Sequence, residues 1–155
     1  MSSIDIGIDL GTANTIITLG GKGIVINEPS VVAYDKKKKQ VLAVGEEAYR
    51  MLGRTPEYIV AMKPLADGVI SDNVMAEAMV SEFIRKVSGS MLLKPRIIIC
   101  VPSSVTDVET RAVVEAALSA GARKVYIIEE PIAALLGAVV ANFKTTSGNL
   151  KRGVN

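Results

Sequence analysis

An α/β fold built around a mixed sheet is what this sequence predicts, and three observations predict it. The first thirty residues read as short strands joined by tight turns, the pattern of an antiparallel meander. The second half alternates apolar strands (96–101 and 124–128) with capped helices, the order of parallel β-α-β units. Between them, residues 31–72 hold short strands, a lysine run and two prolines, and read as a small inserted α+β unit. The expected division is therefore 1–30 with 73–155 as the main body and 31–72 as the insertion.

The opening strand, residues 4–10, places Ile4, Ile6, Ile8 and Leu10 on one face, the period-2 pattern of a half-buried strand. A turn, Gly11-Thr12-Ala13-Asn14, leads into a second strand at 15–19. Asp9 stands just before that turn. Gly11 permits close backbone approach, and successive turn amides can converge on an anion. Thr12 and Asn14 add side-chain donors. Donors gathered beside one carboxylate suit a phosphate chain with hydrated Mg²⁺, which takes few protein carboxylates. The competing reading is an ordinary hairpin in which Asp and Asn serve turn chemistry alone.

Gly20-Gly21-Lys22-Gly23 is a turn before a third strand at 24–26, and Glu28-Pro29-Ser30 interrupts the meander. A strand at 31–34 and another at 41–44 flank four consecutive lysines, whose default is a solvated hairpin tip. Residues 46–52 predict a short helix ended by Gly53, and 54–68 carry no strong period. Asp72 can cap a helix with Met75, Met79, Phe83 and Val87 four apart, a stripe read as core filling, and Gly89 stops it. The strand 96–101 is continuously apolar, as a strand buried on both faces and paired in parallel would be. Pro102 ends it. Thr106 and Glu109 form a T-x-x-E capping box for a helix to about Ala120, closed by Gly121. After the strand 124–128, Pro131 falls in the first turn of the next helix. In such sheets ligands collect at the carboxyl ends of the strands. Asp9, Pro102 to Ser104 and Glu129-Glu130 all fall there.

Composition narrows the function classes. The 155 residues are 49% hydrophobic and 22% charged, values of a soluble globular protein, with no apolar run near 18 residues. A net charge of +2 and 4% aromatic content argue against a nucleic-acid partner. With no histidine, His-based triads and the usual zinc sites are excluded. The single cysteine, Cys100, lies in an apolar strand and reads as a buried, unreactive thiol. A cytoplasmic location is expected.

Three segments together carry a family resemblance: IGIDLGTANT (6–15), IIICVPSSVTDVETRAV (97–113) and AGARKVYIIEEPIAALLG (120–137). The chain resembles the actin-like ATPase superfamily, and within it the bacterial MreB family with its paralogues. The stretches INEPSVVAYD, VLAVGEEAYRMLGRTP and PLADGVISD resemble that family too. The resemblance implies an actin-like, ribonuclease-H-like domain with a mixed five-stranded sheet flanked by helices. It implies ATP and Mg²⁺ as cofactors, with Asp9 holding Mg²⁺ through water and Gly11, Thr12, Ala13 and Asn14 forming the first phosphate loop. Glu130, directly before Pro131, takes the position that orients the attacking water. Without the resemblance, Glu130 reads equally as a carboxylate favoured by a helix N-terminus.

The connector Ser90 to Pro95 carries Met91, Leu92 and Leu93. On the residues alone, packing under the loop is preferred over lipid insertion. The resemblance reverses that preference and makes Leu92 and Leu93 a membrane contact, with Lys86 and Lys94 near the headgroups. A second glycine-rich phosphate loop of the family type is not found in the sequence, so the chain alone is expected to bind nucleotide weakly and not to be a competent ATPase. The implied function is the N-terminal half of a cytoskeletal filament protein governing rod cell shape. Its implied partners are filament subunits of its own kind, the inner membrane face and cell-wall elongation proteins. A sugar- or acid-kinase half, a chaperone-type half and a truncated module that modulates complete filaments are the alternatives.

Overall fold

The computed structural model describes residues 5–89 and 91–136. A mixed five-stranded sheet forms the body. Its strands are β1 (Asp5–Leu10), β2 (Asn14–Leu19), β3 (Gly23–Pro29), β9 (Arg96–Val101) and β10 (Lys124–Glu129), in the order β10-β9-β1-β2-β3. β1 pairs antiparallel with β2, and β2 with β3, as the tight turns predict. β1 runs parallel to β9 and β9 to β10, so three carboxyl ends share one edge of the molecule.

Two helices cover one face of this sheet. α2 (Asn73–Ser88) starts at Asp72, whose carboxylate accepts from the Met75 amide at 2.9 Å. It buries Ala76, Met79, Val80, Phe83 and Ile84, a wider stripe than the four-apart pattern alone. α3 (Asp107–Ser119) opens on the Thr106–Glu109 capping box and buries Val113, Ala116 and Ala117. These side chains meet Ile6, Ile8, Leu10, Ile17, Ile97, Ile99 and Val101 in one core. Burying each such aliphatic side chain contributes about 1.5–3 kcal/mol. The register places Gly7, Asp9, Ile98, Cys100, Tyr126 and Ile128 on the opposite face. There Ile98 and Tyr126 remain 49% and 44% exposed.

Residues 32–62 form a second sheet, β5-β4-β6, from β4 (Val32–Asp35), β5 (Gln40–Val44) and β6 (Ile59–Met62). Asp35 is buried and caps the lysine-rich hairpin by accepting from the Lys37 and Lys38 amides, both at 2.9 Å. α1 (Glu46–Tyr49) is shorter than its sequence period, because the chain turns over residues 50–53. A two-stranded ribbon, β7 (Leu65–Ala66) and β8 (Val69–Ile70), completes the described strands. Together with β6 it corrects the expectation of an aperiodic stretch at 54–68. Strands of two to four residues are too short to show a period.

Glu28 ties three elements together. Its carboxylate accepts from the Glu46 amide at 3.2 Å and from Lys86 Nζ of α2 at 2.9 Å. Gly45 makes this possible: its φ is 69°, and a Cβ there would collide with the Glu28 carboxylate. Replacing Gly45 by Ala combines a left-handed L-residue with that collision and is expected to cost about 2 kcal/mol or more. Thermal unfolding measures it. A melting temperature equal to that of the unsubstituted chain would contradict the assignment.

Candidate functional site

The turn between β1 and β2 is shaped by its own closure and by one buried residue. A Cβ on Gly11 would lie 2.6 Å from the Asn14 carbonyl oxygen, so the turn closes only on glycine. Ser30, fully buried, donates its hydroxyl to the Gly11 carbonyl at 2.6 Å and its amide to the Ala13 carbonyl at 2.9 Å. Its hydroxyl also lies 2.9 Å from Thr15 Oγ1. In a trans peptide the C=O and N–H point opposite ways. With the carbonyls of Gly11 and Ala13 drawn down to Ser30, the amides of Thr12 and Asn14 face away from it. Outward-facing amides at alternate positions are the raw material of an anion-binding concavity.

Side chains around the turn are already partly engaged. Thr12 Oγ1 accepts from the Gly68 amide at 3.0 Å, leaving its own proton for another acceptor. Asn14 Nδ2 donates to Asn27 Oδ1 at 2.8 Å. Ala13 is exposed.

Asp9 lies beside Cys100 in the β1–β9 register. With Cys100, Ile128, Ala133 and Leu136 it lines a cavity of about 290 Å³. Its carboxylate has no hydrogen-bond or ion-pair partner among the described residues. Partial burial against these apolar walls raises its pKa above the usual carboxylate value, even though the residue as a whole is exposed. A nearby cation would relieve that cost. Glu130 is exposed and opens a helical stretch over residues 130–136, one residue earlier than Pro131 predicts.

Cys100 connects the two carboxylates. Its thiol is pushed up to about 11, first by burial, then by the negative charges of Asp9 and Glu130. Both groups therefore lie within electrostatic reach of one sulfur, at the carboxyl end of the parallel strands. At neutral pH the thiol stays protonated, although Cys100 is half-buried here rather than buried as its apolar strand suggests. No group of three or more His, Cys, Asp or Glu side chains forms a metal cage among the described residues. A divalent cation here would rest on one carboxylate and water, a mode that suits Mg²⁺.

The apolar connector divides its roles. Met91 packs against the core, whereas Leu92 is 101% and Leu93 42% exposed. Both leucines line a groove of about 480 Å³ with Leu19, Lys22 and Val87. Lys94 is exposed beside them. Lys86, expected near the same surface, is paired with Glu28 and lines an adjoining groove with Leu19 and Val87.

Ser30 and Gly68 escape sequence reading, whereas Ser104 is read there only by its place at the carboxyl end of a strand, without its partner. Ser30 is visible only as part of an interruption, since its partners lie seventeen and nineteen residues away. Asp67-Gly68 is a recognisable turn dipeptide, but nothing local says that it reaches the loop at Thr12. Ser104 Oγ donates to the Gly68 carbonyl at 2.5 Å, across 36 residues.

Comparison with known proteins places these features in context. The sequence matches the profile of the family described as MreB/Mbl protein over residues 3–150. It is 55% identical over 151 residues to the cell shape-determining protein Mbl of Bacillus subtilis, covering 97% of this chain and 45% of that protein. It is 51% identical over 144 residues to the cell shape-determining protein MreB of Escherichia coli, covering 89% of this chain and 42% of that protein. The chain thus spans less than half the length of these relatives. Among solved structures, MreB5 of Spiroplasma citri bound to ADP superposes with a TM-score of 0.69 at 36% identity, over 83% of this chain and 39% of that one. The same protein bound to AMPPNP gives 0.69 over 89% of this chain and 42% of that one. A MamK double helical filament shares the fold, with a TM-score of 0.66 at 22% identity, over 84% of this chain and 42% of that one.

Proposed function

This chain belongs to the MreB/Mbl family and has its actin-like fold, and from that premise we propose that it supplies the first phosphate-gripping wall of an ATP-dependent, cell-shape-determining cytoskeletal protein. The observation that carries the reading is that Ser30 holds the Gly11 and Ala13 carbonyls of the turn 11–14, from which trans-peptide geometry directs the Thr12 and Asn14 amides away from Ser30. The nucleotide-bound Spiroplasma citri relatives support it at the level of the family.

In this reading the amides of the turn and the Thr12 hydroxyl receive phosphate oxygens. Asp9 would hold Mg²⁺ through water. The bound cation would offset phosphate charge. Glu130 accepts a proton from water at the terminal phosphate, as a carboxylate at a strand end can. Positioning between two walls is what accelerates phosphoryl transfer. Asp9 and Glu130 are both exposed here, so the 155 residues alone are expected to bind Mg-ATP weakly and turn it over slowly. Self-association with chains of its own kind, and contact with cell-wall elongation proteins on the cytoplasmic side of the membrane, belong to the same proposal.

Titration calorimetry with ATP, with and without Mg²⁺, tests the site. The unsubstituted chain should bind more tightly with Mg²⁺, and Asp9→Asn should bind equally with and without it. The same substitution should not lower the melting temperature at pH 7. A carboxylate whose folded pKa is raised costs stability above that pKa, and the amide removes the cost. Retained Mg²⁺ dependence in Asp9→Asn would contradict the assignment.

A second reading rests on the full exposure of Leu92. We infer that Leu92 and Leu93 enter a lipid interface, with Lys22 and Lys94 toward anionic headgroups. No helix among the described residues is long and apolar enough to cross a membrane, so any contact made by these residues is peripheral. Sedimentation with vesicles containing anionic lipid should fall several-fold in Leu92→Ser/Leu93→Ser. Equal sedimentation of the two forms would remove this surface from consideration.

A further inference from the structure

We propose that Ser104 is a positioning residue for the loop after β1, acting through the Asp67–Gly68 turn on Thr12; its consequence for phosphate binding rests on the nucleotide reading above. Gly68 is gripped from two sides. Its amide donates to Thr12 Oγ1 at 3.0 Å, and its carbonyl accepts from Ser104 Oγ at 2.5 Å. Three segments far apart in sequence thereby meet: the turn after β1, the tip of the β7–β8 ribbon and the loop after β9.

The turn needs such support. Asp67 and Gly68 have φ of 52° and 74°, both left-handed, and the aspartate bears the steric cost of that region. The ribbon beneath is two residues per strand, pairing Leu65 with Ile70 and Ala66 with Val69, and it is closed at its base, away from the tip, by the Ser71 amide and hydroxyl donating to the Pro64 carbonyl. So short a hairpin does not hold a strained tip alone. Strained backbone persists where surrounding contacts over-determine it, and here the contacts are the Thr12 and Ser104 hydroxyls.

The arrangement also fixes what Thr12 can do. A hydroxyl has one proton and two lone pairs. With a lone pair taken by the Gly68 amide, the Thr12 proton points away from that amide and is available to an anion at the loop. The hydrogen bond Ser104 makes is to the Gly68 carbonyl, not to the loop itself. It acts by holding Gly68 where Thr12 meets it.

Residue-resolved amide hydrogen exchange on the 155-residue chain, paired with Mg-ATP titration, tests this. Ser104→Ala should speed exchange at Gly68 by about 5-fold or more while the buried face of α3 exchanges as before. Ser104→Thr should restore it. Mg-ATP binding should weaken by about 3- to 10-fold in Ser104→Ala, the scale of one hydrogen bond, and should not weaken further when Thr12→Val is already present. Unchanged exchange at Gly68 overturns the proposal, as does an undiminished binding loss in the Thr12→Val background. A parent chain that binds no Mg-ATP would defeat the nucleotide reading alone, and exchange at Gly68 would then decide the role of Ser104.

Discussion

A single buried hydroxyl and its neighbouring amide set the character of this site. Ser30 receives no water, and its two donors reach the carbonyls of Gly11 and Ala13. Each carbonyl so engaged turns the following amide outward, which converts an ordinary hairpin turn into a surface that presents donors. A turn with its carbonyls outward would repel phosphate. The proposed site joins that orientation to two things set elsewhere: the Thr12 hydroxyl, met by the Gly68 amide, and the carboxylates of Asp9 and Glu130.

The sheet supplies the rest of the geometry. Because β1, β9 and β10 run parallel, their carboxyl ends bring Asp9, Cys100 and the start of the helix at Glu130 together without any local motif requiring it. In the proposed site a cation at that edge would relieve the charge of the carboxylates. Burial first, and then the charges of Asp9 and Glu130, raise the Cys100 thiol, and Asp9 itself is raised by burial against apolar walls. Among the described residues, stability alone accounts neither for a partly desolvated carboxylate without a partner nor for the exposed Ile98 and Tyr126 on the same sheet face.

Much of the fold is legible in the sequence, because its causes are local. Strand alternation in Ile6, Ile8 and Leu10, the Asp72 cap and the Thr106–Glu109 box each act within a few residues, and each appears where its pattern predicts. The five-stranded sheet itself was anticipated from the family resemblance. The strands at 59–62, 65–66 and 69–70 are not legible, since so few residues carry no period, and the first of them pairs with a strand more than twenty residues away. For the candidate site, the residue types at Asp9 and Gly11 to Asn14 are readable, but the support beneath them is not. Ser30, Gly68 and Ser104 act across 19, 56 and 36 residues, distances at which no sequence pattern operates. The connector divides in the same way: three apolar residues look alike in sequence, yet Met91 turns in while Leu92 and Leu93 turn out.

The most direct measurement is a crystal structure of this chain grown with Mg²⁺ and a non-hydrolysable ATP analogue. The account predicts phosphate density within hydrogen-bonding distance of the Thr12 and Asn14 amides, with a hydrated metal facing Asp9. A nucleotide bound anywhere else, or amides at those two positions turned toward Ser30, would contradict it.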